Sequence, residues 1–242
     1  MPIPQTIFRP YRVVENVPLA TGMFRLVVEA EDATEPIPPF QAGQWVNVRL
    51  LNVDGGEWAK AAYSIASAPA AGTQRLEFGI KVAGDFTKRL AALAVGARVE
   101  MQGPWGLFVL KPAAHHVLIA GGIGVTPFVS MIREAALSSA DMQITLIYSN
   151  RTVDEAAYLD ELQQIAAAHP NIRVIPTCTR ESPSGWMGER GRIDAAMLHR
   201  AVPDHRDADY LMCGPDDFMV SMREILVASG VDSKRIKQES FG

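Results

Sequence analysis

A glycine-rich turn in the second half of the chain constrains the fold more than any other segment. Gly121–Gly124 reads Gly-Gly-Ile-Gly; it follows the apolar run Val117–Ala120 directly and precedes a helical pattern that opens at Thr126-Pro127. Proline is tolerated in the first turn of a helix, where its missing N–H has no intrahelical partner. Glycines let backbone amides approach a pyrophosphate at the positive end of that helix. The motif therefore indicates nucleotide binding, although a tight turn without a ligand would read the same way.

The rest of the second half alternates in the same manner. Predicted strands cover residues 117–120, 144–148, 173–177 and 209–213, and predicted helices cover 127–137, 154–169, 194–199 and 215–229. This rhythm predicts an α/β nucleotide-binding domain with a doubly wound parallel sheet over residues 112–242. Cys213-Gly214-Pro215 repeats the strand–turn–helix pattern, which would put a thiol at the carboxyl edge of the sheet. A buried structural cysteine is the alternative.

The first half of the chain shows short strand-like segments in place of this strand–helix alternation. Short β-branched or alternating segments at residues 12–14, 23–28, 45–50, 76–82 and 97–101 are separated by turn signals, with one helix at about 86–93. Such spacing predicts an N-terminal antiparallel β-barrel over residues 1–111.

Composition excludes several classes of function. A net charge of −4 with mixed signs indicates no nucleic-acid footprint. The two cysteines, Cys178 and Cys213, form no C-x-x-C cluster, so we expect no iron–sulfur or other metal centre. No signal peptide and no apolar run of about 18 residues is visible, which makes the cytoplasm the expected compartment.

Two barrel motifs suit a flavin. Tyr63-Ser64 lies in an apolar strand pattern, where an aromatic ring can stack on an isoalloxazine and a hydroxyl can bond a ring nitrogen. A core tyrosine beside an ordinary strand serine fits equally well. Gly84-Asp85-Phe86-Thr87 gives a turn and a helix start, which is either a phosphate cradle or a simply capped helix.

Three arginines follow successive predicted strands or lie in the loops between them. Arg151, Arg180 and Arg192 would therefore converge at one rim of the sheet, where guanidinium groups suit a 2′-phosphate. Solvated surface charges are the alternative for each of them.

In this order, the motifs resemble those of the ferredoxin–NADP(H) reductase superfamily of flavoproteins, over residues 8–242. The resemblance implies a barrel that binds FAD, with FMN a lesser alternative, and an α/β domain that binds NAD(P)H as cosubstrate. It implies Ser64, Cys213 and Glu239 as catalytic residues. The implied cofactor-binding residues are Lys60, Tyr63, Ser64, Ile65, Ile80, Lys81, Val82, Gly84, Phe86, Thr87, Gly122, Gly124, Thr126, Pro127, Arg151, Arg180, Arg192, Cys213, Gly214, Pro215 and Phe241.

One position departs from the family pattern. The arginine that holds the flavin pyrophosphate in the family is Ala61 here, and the preceding Lys60 lacks the planar fork of arginine. The pattern of arginines after the strands favours NADPH over NADH. The resemblance implies a reductase that supplies electrons to a separate ferredoxin, flavodoxin or oxygenase component. Alternatives are a free-flavin reductase and an electron-transfer subunit of a larger complex.

Overall fold

The computed structural model describes residues 7–240, except for 33, 35–36, 70–73, 139–141, 181–182 and 205. The chain divides into two compact units, Met1–Val109 and Leu110–Gly242. The domain boundary predicted between residues 111 and 112 lies two residues after the observed boundary between Val109 and Leu110.

The first unit is a six-stranded antiparallel barrel with one helix. Its elements are β1 Arg9–Ala20, β2 Met23–Ala30, β3 Trp45–Leu51, β4 Glu57–Ser64, β5 Arg75–Lys81, α1 Asp85–Ala91 and β6 Arg98–Trp105. The strand order is β4-β3-β6-β1-β2-β5, and each neighbouring pair is antiparallel. The N–H of Ala66, just after β4, donates to the carbonyl of Glu77 in β5 at 2.8 Å, which joins the two edge strands. The predicted barrel is confirmed.

Alternation along β3 and β4 gives the barrel wall two distinct faces. Val46 and Val48 point into the core, and their partners across the ladder are Tyr63 and Ala61. The pairing of Leu50 with Ala59 and of Leu51 with Glu57 leaves Trp58 as the extra residue of a β-bulge.

The second unit is a parallel α/β sheet. Its elements are β7 His115–Gly121, α2 Thr126–Leu137, β8 Gln143–Asn150, α3 Leu159–Ala168, β9 Ile172–Cys178, β10 Glu189–Arg190, α4 Ala195–Ala201, β11 Asp209–Gly214, α5 Asp216–Ala228 and β12 Ile236–Ser240. The order β10-β9-β8-β7-β11-β12 is parallel throughout, which confirms the predicted doubly wound sheet. The strand order reverses between β7 and β11, at the topological switch point.

Two features of this unit depart from the sequence prediction. The helix predicted over 154–169 is wrong at its start, because Tyr158 has a φ of 61° and α3 begins only at Leu159. A side chain in the left-handed region cannot continue a right-handed helix. Strands β10 and β12 were not predicted. Across the described residues, no helix has the length and apolar character needed to cross a bilayer.

Candidate cofactor and active site

The glycine turn lies at the switch point, beside the end of β11. Cys213 of β11 pairs in register with Ala120 of β7, and residues 122–125 form a short 3₁₀ turn before α2. A Cβ on Gly124 would overlap the carbonyl oxygen of Cys213, so only glycine allows the turn to pack this closely. Gly122 has a φ of 55°, and nothing lies within 4 Å of where its Cβ would be. The backbone at Gly122 is therefore open to a ligand.

The residues after this turn start the helix as predicted. The hydroxyl of Thr126 donates to the carbonyl of Ile123 at 2.8 Å, and Pro127 occupies the first turn of α2. Gly214 packs closely against the ring of Phe218, and Pro215 is the residue from which α5 begins. Two strand–turn–helix units thus stand side by side, and their helix N-termini favour an anion at the same edge of the sheet.

Two of the predicted catalytic residues come together at this edge. Cys213 and Glu239 are register partners on β11 and β12. Cys213 is fully buried, and burial raises the pKa of its thiol well above the usual value, to which the charge of Glu239 adds. Burial raises the pKa of Glu239 to about 7, and its Oε2 is buried with no hydrogen-bond partner among the described residues. The arrangement offers a neutral thiol and a carboxyl that exchanges a proton near neutral pH.

Ser64 ends β4 in the first unit and carries an orphaned hydroxyl. The residue is only 4% exposed, and its Oγ has no hydrogen-bond partner among the described residues. A buried hydroxyl without a partner costs about 1–3 kcal/mol. The atom is therefore suited to a hydrogen bond with a bound group.

Tyr63 presents its ring on the core-side face of β4. The ring lies parallel to that of Phe86 in α1, with centroids 6.3 Å apart and an angle of 10° between the planes. Burial raises the pKa of Tyr63 to about 12, so the phenol stays neutral. The ring of Trp58 is also parallel to that of Phe86, with centroids 6.0 Å apart. Trp58 was missed by the sequence prediction.

In the turn before α1, the hydroxyl of Thr87 forms its hydrogen bonds within the turn itself. The Oγ1 of Thr87 accepts from the N–H groups of Ala83 and Gly84 at 2.8 and 3.0 Å and donates to the carbonyl of Gly84. This hydroxyl caps the helix, as in the alternative interpretation of the motif. Nothing lies within 4 Å of the position of a Cβ on Gly84, which leaves the backbone of the turn open.

Other predicted barrel residues are placed differently from Tyr63. Lys60 pairs with Glu57 at 3.4 Å and opposes Arg49 across the ladder, and alternation puts it on the face away from Ala61 and Tyr63. The structure therefore does not bring Lys60 together with Tyr63. Of the remaining predicted barrel residues, Ile65 and Ile80 are buried in the core and Val82 packs against it. The side chain of Lys81 is exposed.

The three predicted arginines lie at the carboxyl side of the sheet. The backbone N–H of Arg180 donates to the carbonyl of Arg151 at 3.0 Å, just beyond β8 and β9, and Arg192 follows β10 by two residues. All three side chains are exposed, and none has a carboxylate partner within the described part of the chain. Phe241 lies outside the described residues.

Comparison with known proteins assigns both units. Residues 10–110 match the model of the oxidoreductase FAD-binding domain, and residues 118–224 match that of the oxidoreductase NAD-binding domain. A ferredoxin–NADP reductase B of Sorangium cellulosum is 33% identical over 240 residues, which cover 95% of this chain and 96% of that protein. The glycine betaine monooxygenase reductase subunit of Chromohalobacter salexigens is 32% identical over 212 residues, or 84% of this chain and 56% of that protein.

A solved structure agrees with these relatives. The flavohemoglobin of Malassezia yamatoensis, determined with bound FAD and heme, superimposes with a TM-score of 0.84 at 26% identity, over 98% of this chain and 60% of that one. The chain thus spans nearly all of one relative and little more than half of the other two proteins. Fold and site together define an oxidoreductase with an FAD-binding domain and an NAD-binding domain. The chain belongs to the ferredoxin–NADP(H) reductase superfamily.

Proposed function

We propose that this protein takes electrons from NADPH through bound FAD and supplies them to a separate redox protein, such as a ferredoxin, a flavodoxin or an oxygenase component. The observation that carries the proposal is the pairing of Cys213 with Glu239 beside the open backbone of Gly122. Two relatives support both kinds of acceptor, since one is a ferredoxin–NADP reductase and the other is a monooxygenase reductase subunit.

The residues present fit both cofactors. On the flavin side, the orphaned Oγ of Ser64, the ring of Tyr63 and the open backbone at Gly84 offer a hydrogen bond, a stacking surface and a phosphate contact. On the nucleotide side, Gly122, Gly124 and the start of α2 would hold the pyrophosphate. When bound, FAD supplies the capacity to accept two electrons from a nicotinamide and to release them singly or in pairs.

The protein residues align and tune this chemistry. Cys213 holds an uncharged, buried thiol at the carboxyl edge of the sheet, which would keep this part of a nicotinamide site apolar. Glu239, with its pKa raised to about 7, can hold a proton at Oε2 without placing a full negative charge beside the reacting groups. The Oγ of Ser64 can donate a hydrogen bond to a ring nitrogen. Positioning of this kind lowers the barrier by fixing the geometry of approach.

The exposed arginines carry the preference for NADPH. Arg151 and Arg180 lie just after the ends of the adjacent strands β8 and β9, and Arg192 lies just after the edge strand β10. None of the three has a carboxylate partner among the described residues. A 2′-phosphate matches the fork of a guanidinium group through paired hydrogen bonds.

The first test is the visible spectrum and the extracted flavin of the purified protein after exhaustive gel filtration. We expect about one FAD per chain and reduction of a one-electron acceptor by NADPH without added flavin. A colourless protein whose activity rises from near zero only with added flavin would instead establish a free-flavin reductase, which the alanine at position 61 favours. Protein that is inert until another component is added would identify a subunit of a larger complex.

A second test isolates the thiol. Cys213→Ala should slow flavin reduction by NADPH about tenfold or more while the flavin stays bound, because the substitution disturbs alignment only. Cys178 is also buried, at the end of β9, and Cys178→Ala is the matched control, expected to leave the rate unchanged. Equal rates in the two variants would reject the role of Cys213.

A further inference from the structure

Arg89 differs from other arginines of the first unit in its surroundings. The side chain lies on α1, and its guanidinium group stands over the ring of Trp58, 4.6 Å from the centroid. Its Nη2 donates to the carbonyl of Leu51 at 3.4 Å, and among the described residues it meets no carboxylate. Five arginines of this unit instead pair with glutamates: Arg12 with Glu31, Arg25 with Glu15, Arg49 with Glu100, Arg75 with Glu29 and Arg98 with Glu100. Arg89 thus keeps its charge available to an anion.

Trp58 gives this cation an aromatic neighbour on the same face as Tyr63. Five positions separate the two residues, and strict alternation would put them on opposite faces of β4. The β-bulge at Trp58 restores the common face, and both rings lie within 10° of parallel to the ring of Phe86. Trp58 is 37% exposed, so part of the residue remains accessible to a ligand.

Between Trp58 and Tyr63, the residues on this face of β4 are both alanines, Ala59 and Ala61. Ala61 points to the same side as Tyr63 and offers only a methyl group, so it contributes no charge there. The guanidinium group over Trp58 therefore supplies a positive charge at this end of the aromatic row. A diphosphate is bound well by an arginine fork, and a purine ring is bound well by an indole face.

We propose that Trp58 and Arg89 bind the AMP half of FAD, with the indole stacked on the adenine and the guanidinium group in contact with the diphosphate. The proposal rests on the use of FAD in the proposed function. It makes this pair the source of selectivity for FAD over FMN, because FMN lacks both the adenine and the second phosphate. It also supplies the cation that the alanine at position 61 does not.

The experiment is a titration of flavin-free protein with FAD and, separately, with FMN, followed by flavin fluorescence. Trp58→Ala should weaken FAD about tenfold or more, the range expected for loss of one base–aromatic stack, and change FMN affinity by no more than about twofold. Trp58→Phe keeps a ring that can lie parallel to Phe86, and should restore most of the affinity for FAD. Thermal unfolding of the flavin-free variants establishes that each is folded.

Arg89→Gln tests the cation independently. We expect FAD binding to weaken about fivefold or more at low salt, and the difference from the unsubstituted protein to shrink as salt screens the charge. Arg75→Gln is the matched control, since Arg75 is an exposed barrel arginine already paired with Glu29 at 2.8 Å, and it should leave FAD affinity unchanged.

Two results would overturn the proposal. One is an unchanged FAD affinity in both Trp58→Ala and Arg89→Gln. The other is an equal loss of FAD and FMN affinity in Trp58→Ala, which would show that the indole supports the barrel rather than the adenine. Both results leave a protein that binds FAD, so the proposed function would stand. An unsubstituted protein that binds no FAD would overturn the two together.

Discussion

Cys213 and Glu239 are register partners on the adjacent parallel strands β11 and β12, which sets a buried thiol beside a half-buried carboxyl. Burial disfavours negative charge on both groups, and an ionised Glu239 further disfavours the thiolate of Cys213. Burial first, and then the charge of Glu239, raises the pKa of Cys213. The carboxyl is the member of the pair that titrates near neutral pH.

The first prediction concerns stability against pH. The pKa of Glu239 is about 7 in the folded chain against 4.5 as its usual value, so the folded state binds more protons between these limits. The contribution of protonated Glu239 to the free energy of unfolding is therefore fully present below about pH 4.5 and is lost as the pH rises through 7. Solvent screening of the half-buried carboxyl reduces the expected loss to about 1–2 kcal/mol. Urea unfolding of the flavin-free protein at pH 5 and pH 8 measures it.

The variant Glu239→Gln should remove most of this pH dependence, because glutamine has no proton to lose. Glu224→Gln on the exposed surface of α5 is the control and should keep the slope of the unsubstituted protein. Identical slopes in Glu239→Gln and the unsubstituted protein would contradict the assignment.

The second prediction uses the orphaned hydroxyl of Ser64. Replacing it with alanine removes a buried polar atom that has no hydrogen-bond partner among the described residues, so Ser64→Ala should leave the flavin-free protein equally stable or up to about 1 kcal/mol more stable. The same variant should bind FAD less tightly, since it lacks the hydroxyl that would bond the flavin. Unfolding and FAD titration of one preparation check both effects. A large loss of stability in the flavin-free variant would mean that the hydroxyl serves the barrel.

Structural features were predictable from the sequence where particular residue types restrict the backbone conformation directly. The turn at Gly121–Gly124 and the turn after Cys213 were predictable because glycine and proline restrict the backbone directly. Trp58 was not, since a bulge shifts the face of a strand without leaving a distinctive residue pattern. Strand β12 has one buried apolar residue, Ile236, among polar ones, so its sequence lacks a strand pattern. The face of Lys60 was predictable, because three positions separate it from Tyr63.

The third prediction addresses the nucleotide. Arg151→Ala should weaken NADPH binding about tenfold or more and NADH binding no more than about twofold, because only NADPH carries the 2′-phosphate. Arg200 is an exposed arginine of α4 paired with Glu189 at 3.0 Å, and Arg200→Ala should affect neither nucleotide. Dissociation constants for both nucleotides provide the measurement. Equal weakening of NADPH and NADH in Arg151→Ala would reject the 2′-phosphate contact.

The last prediction separates two glycines of one turn. In Gly124→Ala, the new methyl group would overlap the backbone of Cys213, which no side-chain rotation can relieve, so we expect a loss of about 2–4 kcal/mol in the free energy of unfolding. Gly122→Ala meets no neighbour and should cost only about 1 kcal/mol, from its positive φ. The methyl group at 122 would nevertheless stand where a pyrophosphate is proposed to approach, so NADPH affinity should fall in a protein that remains folded. Urea unfolding and NADPH titration of the two variants test this division. A Gly122→Ala protein with unchanged NADPH affinity would show that the open backbone there is not part of the nucleotide site.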